Sequence, residues 1–463
     1  MTMARTSIEL QPTPSITDRG EQDIVITSDA HYHSDRAIVS GDEGPHGRTE
    51  FSLPPVDTGK DAWLFLAAAF VMEALVWGFP FAFGIFQDYY RTHEPFAGSS
   101  QIAIIGTCAM GIMYLDIPFV MALQRLYPKL TRYAPAVGLV IMCLALSLSS
   151  FSQTTTHLII TQGVFYAIGG SIAYCPCILY MDEWFVKRKG FAYGAMWSGT
   201  GLGGLTIPLV LEYLLGRWGF RTTLRIWAVA LFVLTVPLVW FLKPRLPASA
   251  TAHIKPFNLG FLLNRSFGLY QLGNVVEAVG YFLPGVFLPT YARTTMGAGA
   301  FPSALTLLML NVPRDDLHTD LDGGDGGGDV SPLGSGDEPG CAVHVLRHLR
   351  DVWGAYTATW PGIMKHILTA SGSSGSEGSD SNGNGNGNNP SFDPTMVFGF
   401  LSMGRGIGNV AAGPLSEALI RGMPWQGAAM GGYGSGYGTL IAFTGATAVV
   451  GGTSYVWRRI GWL

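Results

Sequence analysis

Charge is scarce in this sequence. Of its 463 residues only 13% are Asp, Glu, Lys or Arg, about half the fraction of an ordinary soluble domain, which argues against a water-soluble globular enzyme. The shortage is uneven. Residues 1–61 hold 16 charged side chains and residues 313–389 hold 15, leaving 29 for the other 325. That remainder, about 9% charged, is as poor in charge as bilayer-facing sequence must be. The formal net charge of −4 divides into −6, −7 and +9 over the same three parts, so a basic apolar body carries two acidic, polar attachments. The basic residues lie at the ends of apolar runs instead of forming one patch, which gives no nucleic-acid surface.

Cysteine is scarce too. Cys108, Cys143, Cys175, Cys177 and Cys341 are too few, and four of them too deep in apolar runs, for a disulfide framework. Cys175-Pro176-Cys177 lacks the second pair that a zinc site needs and reads as small packing residues around a helix-bending proline. There is no HExxH, no paired histidine box, no GxSxG in a strand-turn-helix setting and no P-loop. The glycine run Gly199 to Gly204 lies in an apolar helix with no strand before it, so no dinucleotide site follows. The expectation is a protein that is not an enzyme and holds no cofactor or metal.

What is present is apolar sequence in long windows. A helix needs ~20 apolar residues to cross about 30 Å of hydrocarbon, and windows of that kind appear near 62–87, 101–123, 134–152, 157–180, 191–214, 223–242 and 267–290, with two more near 395–420 and 439–457. Residues 1–60 are polar, lack a signal-peptide pattern and read as a disordered cytosolic tail. Arg125, Lys129 and Arg132, then Lys187, Arg188 and Lys189, then Lys243, Arg245, Lys255 and Arg265 fall in alternate loops, which places those loops and the N-terminus in the cytosol. Arg217 and Arg221 break the pattern mildly. Nine spans would leave Trp457-Arg458-Arg459 outside, so an odd number of crossings is missing between Tyr291 and Asp393. That stretch holds two apolar stubs, Ser303 to Val312 and Trp353 to Met364. Between them the polar interruption 313–352 reads either as a real loop or as a coding-frame error. Residues 371–389 are a Gly/Ser/Asn-rich flexible loop.

The stretch from Asp182 to Gly204, DEWFVKRKGFAYGAMWSGTGLGG, is the most specific text in the chain. Its aromatic pair Trp184-Phe185, basic triplet Lys187-Arg188-Lys189 and small residues Gly194, Gly199 and Gly203 resemble the fifth-helix signature of the monocarboxylate-transporter-like branch of the major facilitator superfamily. Asp61-Ala62-Trp63, Trp77-Gly78-Phe79-Pro80, Ala358-Thr359-Trp360-Pro361-Gly362 and Gly404-Arg405-Gly406-Ile407-Gly408-Asn409 are similar to the fungal form of that branch. The resemblance implies an all-α, multi-pass membrane protein of two six-helix halves, with helices 8 to 10 of the second half disrupted. The N-terminal half is 61–243, a cytosolic linker 244–266, and the C-terminal half 267–463. It implies a secondary transporter working by alternating access, with a small-molecule solute, a monocarboxylate moved by proton symport, at the midplane. The plasma membrane is the expected location. The alternative reading is a non-transporting truncated paralogue or a faulty gene model.

Within the spans, ionisable residues are expensive and mark functional positions. Glu73 lies mid-helix 1 and Glu277 mid-helix 7, counterparts in the two halves, and both are proton-site candidates by analogy. Arg405, which stays charged, either holds a solute carboxylate through a bidentate pair or neutralises Glu277 or Glu417. Asp116, beside Pro118, is a weaker substrate or proton-site candidate, and otherwise supports a kink or meets Arg125. Trp77 either faces the cavity or packs. The basic triplet serves as a latch toward the other half or as a topology signal, and the glycine face allows close helix approach and sliding. In carboxylate-carrying relatives helix 8 supplies an Asp/Arg pair; here Arg314, Asp315 and Asp316 lie in the polar interruption and do not correspond to it.

Overall fold

A membrane offers no water to backbone polar groups, so a chain of this composition must satisfy them within helices. The computed structural model describes residues 54–246, 259–311, 360–373, 392–429, 431–451 and 457. Among these every regular element is helical. Residues 1–53 of the tail, the interruption 313–352 and most of the loop 371–389 lie outside the described residues.

The first span is α1 (Lys60–Phe81) running into α2 (Phe83–Thr92). Next come α3 (Ile102–Leu115) and α4 (Ile117–Leu126), bent by 40° at Asp116. A short α5 (Pro128–Thr131) leads to α6 (Ala134–Ser149). The fourth span joins α7 (Thr155–Leu158), a π-helical turn (Ile159–Phe165) and α8 (Tyr166–Trp184). All four coincide with the apolar windows of the sequence.

Helix α9 (Lys189–Val239) has 51 residues. At 1.5 Å each it would run ~76 Å, more than twice the hydrocarbon thickness. Gly219 resolves this, because its φ of 71° and ψ of 173° are non-helical and divide the element into two crossings. A side chain would strain that backbone. The two arms match the windows 191–214 and 223–242.

The second part of the chain contains α10 (Arg265–Tyr281) and α11 (Leu283–Met296), broken at Phe282, then α12 (Ala300–Asn311). Helix α13 (Trp360–Ser373) begins inside the second apolar stub and extends to residue 373, so the first residues of the expected flexible loop are helical. Helix α14 (Pro394–Ile420) starts on an Asp393 cap, whose carboxylate accepts from the Thr395 and Met396 N–H groups. An N-cap carboxylate followed by proline is a strong helix start. The final described helix is α15 (Gly438–Gly451).

Large apolar side chains stand exposed along α4 to α6 and the second arm of α9, including Phe119, Leu144, Phe151, Val229 and Phe232. In a water-soluble protein so much exposed apolar surface would be an aggregation hazard, whereas a bilayer would accommodate it.

Candidate functional site

Glu73 and Trp77 are one helical turn apart on α1 and share a face. Both are buried. The first arm of α9 crosses α1 at this level through two glycines: a Cβ at Gly199 would lie 2.3 Å from the Phe70 carbonyl oxygen, and one at Gly203 would lie 2.5 Å from that of Ala74. Only the missing side chains permit this approach. It brings Thr200 against Glu73, and the hydroxyl donates to Oε1 at 2.5 Å. Oε2 finds no hydrogen-bond donor by distance and angle, although the Tyr174 hydroxyl stands beside the carboxyl. Tyr174 accepts from the Trp197 indole N–H at 3.2 Å. The Trp77 ring lies 4.6 Å from Tyr114 and 5.6 Å from Tyr174, centroid to centroid.

The facing half supplies Glu277 and Tyr281, one turn apart on α10, and Arg405 on α14. Asn274 donates to the Leu401 carbonyl and Gln271 to that of Phe400, each at 2.6 Å, which ties the two helices together below the charges. Arg405 is fully buried. Its Nη1 donates to Glu277 Oε2 at 3.1 Å, and its guanidinium carbon lies 3.7 Å from the centre of the Tyr281 ring. The Arg405 Nε and Nη2 groups find no well-aligned acceptor among the described residues, although the Tyr114 and Tyr281 hydroxyls stand beside the guanidinium. Asn409, one turn further along the same face of α14, is also fully buried with both amide atoms unpartnered. Tyr114 connects the halves, its ring 5.9 Å from the Arg405 guanidinium carbon on one side and in contact with Trp77 on the other.

The structure thus brings Glu73, Trp77, Glu277 and Arg405 to one aromatic-lined region. Of the two partners open to Arg405 in the sequence, it takes Glu277. Asp116 stands elsewhere, at the break between α3 and α4 next to Ser171, and forms no ion pair among the described residues. Arg125 pairs instead with the helix-capping Asp393. Tyr114, Tyr174, Tyr281 and Asn409 were not singled out from sequence. The i, i+4 spacing of Tyr281 from Glu277 and of Asn409 from Arg405 was the available signal.

The two ends of the bundle differ. At one end Arg293 of α11 lies 2.9 Å from Asp88 of α2 and 2.6 Å from Glu212 of α9, so one guanidinium joins three helices. At the end carrying the basic triplet, a cavity of about 630 Å³ separates the walls formed by α8 and α9 from those of α13 and α14. Trp197 and Phe398 line it and stack across it at 6.2 Å.

The signature residues at that end work within the first half. Trp184 stacks on Phe65 and donates its indole N–H to the Lys243 carbonyl, while Phe185 packs edge-on against Trp63. Lys189 pairs with Asp182 at 2.8 Å. Gly190 and Gly194 face open space and are not part of the α1 contact. The backbone N–H groups of Val186, Lys187 and Arg188 all donate to the carboxylate of Asp57, at 2.9 to 3.1 Å. Burial opposes that charge, but the three donors and the nearby Arg188 cation outweigh it and hold the carboxyl below its ordinary range. Asp57 was also missed in the sequence, where it falls within the expected disordered tail 1–60; its buried, triply hydrogen-bonded carboxylate shows that the last residues of that stretch are packed against the bundle.

The fold is that of known solute carriers. The structure of the nucleoside transporter NupG superposes with a TM-score of 0.59 at 12% identity, over 85% of this chain and 98% of that one. A bacterial homologue of the human lysosomal transporter Spinster, in an inward-facing and occupied conformation, gives 0.52 at 12% identity, over 87% and 98%. No family model matches the chain. Among curated proteins, the MFS-type transporter pytF of Aspergillus terreus is 26% identical over 257 residues, 55% of this chain and 86% of that protein. The MFS-type transporter pynF of Aspergillus niger is 29% identical over 52% of this chain and 56% of its own length. The chain is similar to transporters of the major facilitator superfamily. Monocarboxylate transporter 10 of Danio rerio, 26% identical over 54% of this chain and 51% of its own, adds an animal relative from the branch that the fifth-helix motif resembles. Apart from pytF, these matches span about half the length of the relatives. With relatives that are transporters and apolar helices long enough to cross a bilayer, it is an integral membrane protein.

Proposed function

We propose that this protein is a secondary transporter that moves a small organic monoanion, a monocarboxylate, by alternating access with a proton. The observation that carries this reading is the Nε/Nη2 edge of Arg405, a bidentate carboxylate receptor buried with no well-aligned acceptor and with only the neutral Tyr114 and Tyr281 hydroxyls beside it. Buried donors without acceptors are rare unless something else occupies the place. The unpartnered Asn409 amide offers a further polar contact, and Trp77, Tyr114 and Tyr281 offer ring faces for the solute's apolar part. The name of the animal relative, a monocarboxylate transporter, points the same way.

Charge counting supports proton coupling. Arg405 and Glu277 already cancel, so an incoming carboxylate would add a net negative charge to a site shielded from water, which is costly. A proton arriving with the solute removes that cost. The cavity at the basic-triplet end and the Arg293 ion pairs at the other support a bundle open on one side and closed on the other. With the triplet cytosolic and the plasma membrane as the location, this is the cytosol-facing state.

The test is uptake of labelled lactate and benzoate by the purified chain in proteoliposomes, with and without an inward proton gradient. Accumulation that collapses with the gradient is the expected result. Well-folded protein that neither accumulates nor exchanges any carboxylate would leave the alternative, a non-transporting relative. That alternative is favoured by the polar sequence 313–352, which stands where the resemblance implies transmembrane helices.

A further inference from the structure

Two buried carboxyls flank the proposed solute site, and their surroundings differ. Glu277 has a cation in contact: Arg405 Nη1 at 3.1 Å from α14, with Tyr281 of its own helix on the same guanidinium. Glu73 has none. From α9 it meets Thr200, from α8 Tyr174 and Cys177, and from α3 Tyr114, all of them neutral groups. One of its oxygens has no hydrogen-bond donor in place. A carboxyl buried without a counterion balances its charge by carrying a proton, whereas one buried against a guanidinium balances it through the pair.

We propose that the two carboxyls have separate tasks: Glu73 carries the coupling proton, and Glu277 is a positioning residue that pins Arg405 through Nη1 so that the Nε/Nη2 edge is presented to the solute. This rests on the anion-transport reading above and assigns its coupling step. The proton passes from water on one side of the membrane to a Glu73 carboxylate oxygen and leaves that oxygen to water on the other side. The solute carboxylate stays ionised on Arg405 throughout, and no covalent bond to the solute forms or breaks. The geometry also explains why Glu277 is unsuited to the proton: protonating it would break up the only ion pair that Arg405 has among the described residues.

The deciding experiment uses the full chain in two arms. In the first, infrared difference spectra of the purified protein across a pH titration, without solute, report the C=O stretch of a protonated carboxylic acid. In an Asp116→Asn background, which removes another carboxyl whose oxygens are buried without a partner among the described residues, the band is expected with Glu73 and Glu277 intact and in Glu277→Gln, and is expected to be lost in Glu73→Gln. Glu73→Asp should retain it at a shifted frequency, which covers the case in which the glutamine variant does not fold. In the second arm, proteoliposomes are assayed with labelled lactate or benzoate. Glu73→Gln should keep solute counterflow and lose stimulation by the proton gradient; Glu277→Gln should keep the stimulation and change KM. A band that survives in Glu73→Gln and disappears in Glu277→Gln, or gradient stimulation that follows the same pattern, overturns the assignment. Should the unsubstituted protein carry no carboxylate, the transport reading fails, while the infrared arm still decides which carboxyl holds a proton.

Discussion

Arg405 shows at the scale of one residue why charge inside a membrane bundle is informative. Its guanidinium is fully buried, held at one nitrogen by Glu277 and stacked on Tyr281, yet two of its donor groups meet no well-aligned acceptor. A lysine there would keep the charge and the pair with Glu277 but would lose the planar edge. We therefore expect Arg405→Lys to fold and reach the membrane, with KM for a carboxylate raised tenfold or more, a loss of roughly 1.5–3 kcal/mol for charge-assisted hydrogen bonding; uptake measured against solute concentration at fixed pH checks this. Asp57 makes a second residue-scale case, because one carboxylate accepts three backbone N–H groups. Its folded pKa is depressed, so its contribution to stability is complete above the unfolded value near 3.9 and is lost as pH falls through the lower folded value. The Tm of Asp57→Asn should lie below that of the parent at neutral pH, and the two should converge in acid. A constant gap down to the lowest pH at which the protein stays folded would contradict this.

At the scale of elements, the same residue type has opposite uses along one helix. Gly199 meets the α1 backbone and Gly194 meets nothing within 4 Å. Gly199→Ala should force α9 away from α1, costing about 1–3 kcal/mol by overpacking, and should lengthen the Thr200 to Glu73 hydrogen bond. Gly194→Ala should be neutral or raise stability by up to about 1 kcal/mol through helix propensity. Thermal unfolding in detergent separates them, and equal shifts would remove the α1–α9 contact from the argument. The helices themselves were legible, since long apolar windows have few other fates, and even the division of α9 near Gly219 was visible as a polar gap between two windows. The kink at Asp116, the π-helical turn in the fourth span and the choice of which glycines touch were not visible, because each depends on which neighbour packs against the helix.

For the whole molecule, the two ends of the bundle set which side is open. Arg293 holds Asp88 and Glu212, whose side chains are 4% and 15% exposed. Removing one partner of such a cluster leaves buried charge uncompensated at about 3–5 kcal/mol. Arg293→Gln should thus weaken the closed end and shift the population toward the opposite state. Spin labels at Gly190 and Lys365, on the two walls of the cavity, would report this in a cysteine-free background as a growing short-distance population. An unchanged distance distribution would show that the cluster does not set the equilibrium.

Much of this protein was determined by its sequence alone. The charge-poor body, the crossings and the family signature follow from local composition, because a bilayer penalises unpaired backbone and charge wherever they occur in the chain. Glu73, Trp77, Glu277 and Arg405 could also be named in advance, as costly or unusual residues inside apolar windows. Their partners could not. Glu277 and Arg405 are 128 residues apart, and nothing local distinguishes that pairing from one with Glu417. Likewise only the packed bundle shows that Lys189 turns back to Asp182 and that Asp57 caps the loop of the basic triplet. Which donors lack a well-aligned acceptor, and which carboxyl lacks a cation, are properties of the space between helices, and only the tertiary structure defines that space.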